Sequence, residues 1–306
     1  MPRIHVIGAL VYDLVFNVPD WIEPNRAVHA SQVTLSPGGK ALNQAAAACL
    51  LGGDVALIGC VGDDLFGAQM LQELRNIGVN IDHVIVHDSA RTSLASIVVK
   101  DMVPGFIGAP DASRKIGQDD IDQALRNLQK QDLLLIDFEI PQELVHHALT
   151  LAKNAGATTV VNPAPFFTRD AFVFEYLHLV DVIIPNKFEA QLIAGDDSDD
   201  PDELARRLLN MGIMQVVMTL GEDGCVLYER ERKLEQSAFA VAVVDTTGAS
   251  DAFVGAYVMS LVNGWPGQGA LKFATAVAGL ACSKHGTMSS LPRLRDVNSL
   301  LRAGSK

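Results

Sequence analysis

The chain has 306 residues, 49% of them hydrophobic, enough to bury a large core. Its formal charge of −12 excludes a protein built to grip nucleic acid or an anionic membrane, since both require a basic surface. The four cysteines show no CxxC spacing and no run of about 18 apolar residues occurs, so a zinc knuckle, a disulfide framework and a membrane span are all unexpected. Thiols so dispersed fit a reducing cytoplasm.

The opening run Ile4–Ala9 predicts a first strand; it is interrupted at Asp13 and lacks a cleavage site, so it is not a signal peptide. Further strands are predicted at Val55–Cys60, Leu133–Asp137, Thr158–Asn162, Val182–Pro185 and Gln215–Leu220. Helical periods cover Ala41–Leu51, Gly67–Ile77, Asp119–Lys130, Gln142–Ala155, Asp202–Met211, Asp251–Val262 and Gly269–Lys284. This alternation predicts an α/β fold, a doubly wound, mainly parallel sheet between two helical layers, in one domain spanning residues 1–306. Two β-rich segments, approximately 14–35 and 82–109, lack a helical period and are expected to form a small lid.

Ligands of such sheets sit beyond the carboxyl ends of the strands. The polar residues that follow the predicted strands should therefore share one crevice: Asp13, Gly62-Asp-Asp64, Glu139, Asn162, Asn186 with Glu189, Thr219 to Gly221, and Asp245 to Asp251. Within Val244-Asp-Thr-Thr-Gly-Ala-Ser-Asp-Ala-Phe253 a strand end passes through a tight turn into a helix, and the free N–H groups of that turn make an anion site. A carboxylate there, Asp251, is suited to taking a proton from a hydroxyl that attacks phosphorus, although Ser250 or Asp251 could equally be a helix cap. Gly38-Gly39 allows close backbone approach to a ligand, and Lys40 and Asn43 offer donors for a polyol. Asn186 and Glu189, one helical turn apart, read as a capping box and also as oxygen groups for the water shell of magnesium. Thr219-Leu-Gly-Glu-Asp-Gly224 reads as a hairpin loop.

In this order and spacing, the motifs resemble the ribokinase (PfkB) family of carbohydrate kinases over essentially the whole chain. The resemblance rests on Ile7-Gly8 to Asp13-Leu14, on Pro37-Gly-Gly-Lys-Ala-Leu-Asn-Gln-Ala-Ala46 through Gly67, and on Val244 to Phe253. Phe138-Glu-Ile-Pro141, Asn162-Pro-Ala-Pro165 and Gly286-Thr-Met-Ser-Ser-Leu-Pro292 resemble its ribokinase-like branch. The resemblance implies that Asp13, Gly39, Lys40, Asn43 and Glu139 hold a sugar, that Asp251 is the general base, and that the backbone of Gly248, Ala249, Ser250 and Asp251 forms the anion hole. It implies ATP bound along Thr219, Gly221 and Gly224, with Asn186 and Glu189 organising Mg2+ and phosphate, Glu189 through water. A potassium ion is implied at Asp245, Thr247, Ala281, Lys284, Gly286 and Ser290, and a homodimer through the lid.

Three positions depart from the family pattern. Ser250 replaces a customary glycine, and a misdirected hole donor would cost about 2.7–4 kcal/mol of transition-state stabilisation. Val11 stands where ribokinases carry an asparagine that contacts ribose, a loss of about 1 kcal/mol or more. The lid stretch Val103–Ser113 lacks the customary Gly-Ala-Asn tract. The leading expectation is ATP-dependent phosphorylation of a hydroxyl of a pentose or related sugar. Fructose, a sugar acid or a nucleoside as acceptor, and a low-activity sugar-binding regulator motivated by Ser250, remain alternatives.

Overall fold

The computed structural model describes residues 2–101, 103–165, 174–265 and 267–303. A nine-stranded sheet runs through it in the order β13-β12-β11-β10-β9-β8-β1-β4-β5. Its strands are β1 (Arg3–Ile7), β4 (Asp54–Gly62), β5 (Asn80–His87), β8 (Leu133–Asp137), β9 (Thr158–Asn162), β10 (Val182–Ile183), β11 (Gln215–Thr219), β12 (Cys225–Tyr228) and β13 (Lys233–Gln236). Seven are parallel, and β12 and β13 close one edge antiparallel.

Alternation along a strand sends successive side chains to opposite faces. In β8, Leu133 and Leu135 join the core shared with α1 (Lys40–Leu50), α2 (Leu65–Ile77), α7 (Ala249–Val262), α8 (Gly267–Cys282) and α9 (Leu294–Ala303). Leu134 and Ile136 join the core of the other face with α3 (Gln118–Leu125), α4 (Gln142–Ala155), α5 (Lys187–Ala194) and α6 (Pro201–Asn210). The expected three-layer α/β sandwich is thus present.

A four-stranded sheet, ordered β3-β2-β6-β7, stands beside it: β2 (Val11–Asn17), β3 (Gln32–Gly38), β6 (Ser93–Lys100) and β7 (Val103–Ala109). The lid boundaries require correction. Residues 82–87 do not leave the main sheet, because β5 pairs in parallel with β4 as its edge strand. Edge position explains the misreading: β5 is largely half-exposed and lacks the apolar run of a buried strand. The second lid segment begins at Ser93, and Met102 within it lies outside the described residues.

The chain leaves β1 for β4 and β5 on one side and returns to β8, β9, β10 and β11 on the other. The switch of direction between β1 and β8 opens a crevice at their carboxyl ends, into which the small sheet leads. Helices α1 and α7 cross tightly beneath it. A Cβ added at Gly255 would fall 2.6 Å from both Gln44 O and Ala47 Cβ, so the crossing requires glycine on one helix and the alanine run of the other. α7 is apolar on nearly every side, as befits a helix enclosed by its neighbours. Among the described residues, no helix is long and apolar enough to cross a membrane.

Candidate active site

Gly248 governs the turn into α7. It takes φ +80 as the helix N-cap, where a side chain would strain the backbone, and an added Cβ would lie 3.2 Å from Thr287 Cα. Ala249 N–H bonds to Thr246 O at 3.2 Å and Ala252 N–H to Gly248 O at 2.9 Å. The N–H groups of Ser250 and Asp251 have no backbone acceptor among the described residues, and they add to the positive end of the helix. Ser250 does not restrict this turn: it lies in the helical first turn with φ outside the positive region, and the left-handed conformation falls at Gly248.

Asp251, 5% exposed, is held by two adjacent residues of α1. Asn43 Nδ2 donates to its Oδ2 at 3.1 Å and Gln44 Nε2 to its Oδ1 at 3.0 Å. Lys40 Nζ stands 3.9 Å from Oδ1. Asn43 keeps a buried Oδ1 with no partner among the described residues.

Asp13 enters from β2, opposite Ser36 of β3 and Ala95 of β6. Gly38 makes room for it, since a Cβ there would fall 2.0 Å from Asp13 Oδ2, while Gly39 takes φ +89 to turn the chain into α1. Asp13 is buried, and its carboxylate makes no hydrogen bond or ion pair with the described residues. Burial, then the charges of Glu139 and Asp251, push its pKa up to about 7. Burial likewise raises Glu139 to about 6, against the Lys40 ammonium and the Lys40 N–H, which lies 3.3 Å from Oε2. Asp137 is fully buried at the end of β8, and its Oδ2 has no partner among the described residues. Burial first, then the charge of Glu139, holds its carboxyl well above the usual carboxylate range.

Burial works against the charge of Lys40, yet Asp251, Glu189, Glu139 and Asp137 outweigh it and raise its pKa. Several carboxylates therefore share one ammonium. That leaves spare acceptor capacity, which suits a molecule rich in hydroxyl donors. A cavity of about 690 Å³ adjoins this cradle at Val11 and Glu139 and is lined also by Ala95, Ala109, Phe138 and Arg114.

On the neighbouring strand ends, Glu189 N–H donates to Asn186 Oδ1 at 2.8 Å and Asn186 N–H to Glu189 Oε2 at 2.9 Å. This is the capping box of α5, and it leaves Glu189 Oε1 uncommitted. Glu189 is raised by burial, against the Asn186 N–H and Lys40, so it senses the same crevice. Thr219 bridges to Asn186 in parallel register, and Gly221 (φ +61) and Gly224 (φ +98) shape the turn from β11 into β12. The oxygen donors there match the hard-cation chemistry of magnesium, which needs few protein ligands.

Behind the α7 turn, Asp245 Oδ1 accepts from Thr247 N–H and Oδ2 from Gly286 N–H, each at 2.9 Å. Burial opposes its ionisation, but these bonds and one from the Thr247 hydroxyl hold its pKa low. Ala281 O accepts from Lys284 N–H at 3.2 Å, and the Ser290 hydroxyl bonds to Thr287 O at 2.7 Å. The Gly286 N–H thus ties the segment from Ala281 to Ser290 to the turn through the Asp245 carboxylate, and that carboxylate with the carbonyls of Ala281 and Thr287 supplies oxygen atoms of the kind that could hold a monovalent cation.

Asp64 does not enter the crevice. It caps α2 through Gly67 N–H at 2.9 Å and accepts from Thr92 N–H at 2.8 Å and the Thr92 hydroxyl at 2.7 Å, so its oxygens are spent. Gln44 was not anticipated. Its only signal is a long amide at the head of an alanine run, where a small residue would otherwise pack.

The pfkB family carbohydrate kinase profile matches residues 1–294. The chain is 30% identical over 302 residues to the deoxyribokinase of Salmonella typhi, covering 97% of this chain and 98% of that protein. It is 30% identical over 300 residues to the ribokinase of Haemophilus influenzae, covering 97% of each. Its fold overlays an Arabidopsis thaliana ribokinase solved with ribose and ATP at a TM-score of 0.90 and 26% identity, covering 98% and 99% of the two chains. The chain belongs to the pfkB family of carbohydrate kinases, phosphotransferases that act on an alcohol group.

Proposed function

We propose that this protein transfers the γ-phosphate of ATP to a primary hydroxyl of a pentose-type sugar, with Asp251 as general base. The observation that carries this reading is the juxtaposition of Asp251, at the open N-terminus of α7, with the unpartnered Asp13 and the cradle of Lys40, Asn43 and Glu139. The names of the relatives, ribokinase and deoxyribokinase, support the pentose.

Asp13 and Glu139 accept sugar hydroxyls, and Lys40, Asn43 and the backbone at Gly39 complete the hold. The reacting hydroxyl then lies against Asp251, which takes its proton as the oxygen–phosphorus bond forms and the bond to ADP breaks. The N–H groups from Gly248 to Asp251 stabilise charge on the phosphoryl oxygens during transfer. Thr219, Gly221 and Gly224 line the nucleotide. Magnesium, held through water at Glu189 beside Asn186, would neutralise phosphate charge. Potassium behind the turn, at Asp245, Thr247, Ala281, Lys284, Gly286 and Ser290, would fix the turn's shape. Ser250 gives no backbone reason for lost turnover, which argues against a purely regulatory role. The four free thiols support a cytoplasmic setting.

A second acceptor reading is favoured by the cavity beyond Val11 and Glu139. At about 690 Å³ it has room for more than a pentose ring, and its apolar walls suit a substituent on the sugar, as in a nucleoside.

The small sheet supports a homodimer. The row Asp13, Ser36, Ala95 and Gly108 defines the face toward the cradle; the opposite face carries Leu35, Leu14, Ser96 and Ile107 in one row and Val33, Phe16 and the buried Val98 in the next. Leu35, Ile107 and Val33 are each at least half exposed.

Asp251→Asn should fold normally and lose roughly 10²–10⁴ in turnover with the best pentose acceptor; near wild-type turnover removes Asp251 as base. Sugar hydroxyls favour ionised Asp13 and Glu139, whose pKa values stand raised without ligand. Sugar binding at about pH 6.5 should therefore release up to about one proton, and almost none at about pH 8.5, read by calorimetry in buffers of different ionisation enthalpy. Proton uptake at the lower pH contradicts the cradle assignment. Activity should be higher in potassium than in sodium, and equal rates would remove the cation from the account. Light scattering should give a dimer that Leu35→Glu with Ile107→Glu converts to monomer; a monomeric wild type rejects the lid interface.

A further inference from the structure

We infer that Gln44 is a positioning residue for phosphoryl transfer, a neutral amide that fixes the Asp251 carboxylate and keeps it from collapsing onto Lys40; this rests on Asp251 being the base. Gln44 is fully buried, and its Nε2 donates to Asp251 Oδ1 and to Asn162 Oδ1, each at 3.0 Å. The orientation of these amides follows from the far end of the chain of bonds. Ile184 O can only accept, so Asn162 must turn Nδ2 toward it, at 2.8 Å, and Oδ1 toward Gln44. Gln44 must then face both acceptors with Nε2, which leaves its Oε1 buried with no partner among the described residues. A residue whose only role was packing would gain nothing from this orphaned oxygen, which costs free energy. The backbone beyond β10 therefore sets the position of a carboxylate on α7, through β9 and α1.

The neutrality of the donor matters. Lys40 Nζ is only 3.9 Å from the same Oδ1, and a carboxylate freed on that side would close into an ion pair and turn away from a hydroxyl. The other charged groups facing Asp251 are Asp13 from β2, Asp137 and Glu139 at the end of β8, and Glu189 from α5. None of these groups donates a hydrogen bond that holds Asp251 when ionised.

The experiment is a double-mutant cycle of Gln44→Leu and Asp251→Asn, with Gln44→Met as a second apolar variant, each checked for folding by thermal melt. Gln44→Leu should lower kcat roughly 10- to 100-fold with little change in sugar KM, because the base is displaced and the cradle is not. In the Asp251→Asn background the same substitution should cost less than about twofold. An equal loss in both backgrounds, or no loss in folded Gln44→Leu or Gln44→Met, overturns the inference. If Asp251→Asn alone retains full turnover, the assignment of the base falls instead, and with it this role. Should both Gln44 variants fail to fold, Asn162→Ser removes the anchor and must reproduce the background-dependent loss in kcat for the inference to stand.

Discussion

The structure depends on one electrostatic constraint, the crowding of carboxylates around a single ammonium. Asp13, Asp137, Glu139, Glu189 and Asp251 are all removed from water near Lys40. One cation cannot neutralise them, so several sit with raised pKa values and vacant lone pairs. Uncharged hydrogen-bond donors would favour the ionised form of such acids without adding charge. The hydroxyls of the proposed sugar are donors of this kind, which is the physical reason to read acids around one lysine as its cradle.

Each acid arrives from a different element, and the fold makes that possible. The parallel sheet changes direction between β1 and β8, and the polar residues at successive strand ends converge there. The small sheet carries Asp13 inward on β2, and Gly38 leaves the space its carboxylate occupies. The α1–α7 crossing, made close by Gly255 and the alanines opposite, brings two amides to Asp251. Packing at the crossing and chemistry at the site are therefore the same constraint seen at two levels.

Much of this was legible in the sequence where side-chain pattern and structure coincide. Leu133–Asp137 and Thr158–Asn162 are buried parallel strands, read to the residue because apolar and β-branched residues fill both up to a polar end. The Asn186–Glu189 capping box was visible from spacing alone, although α5 beyond it was not. The edge strand β5 is not distinguishable from lid in the sequence, because an edge carries no continuous apolar signal. Ser250 was read as a restriction because the family pattern has glycine there, whereas the left-handed backbone sits two residues earlier at Gly248. Gln44 was illegible since its partners, Asn162 and Asp251, lie 118 and 207 residues away and meet only through the helix crossing.

The central claim is that this crowd of acids awaits a polyol to which ATP delivers phosphate. The most direct test measures ADP release by the purified protein with ATP and magnesium against pentoses, deoxypentoses, hexoses, sugar acids and nucleosides. The account predicts release that depends on acceptor and is greatest for a pentose or pentose-containing compound, with stoichiometric phosphorylated product. Calorimetric binding of a sugar with no ADP formed from any acceptor would contradict it.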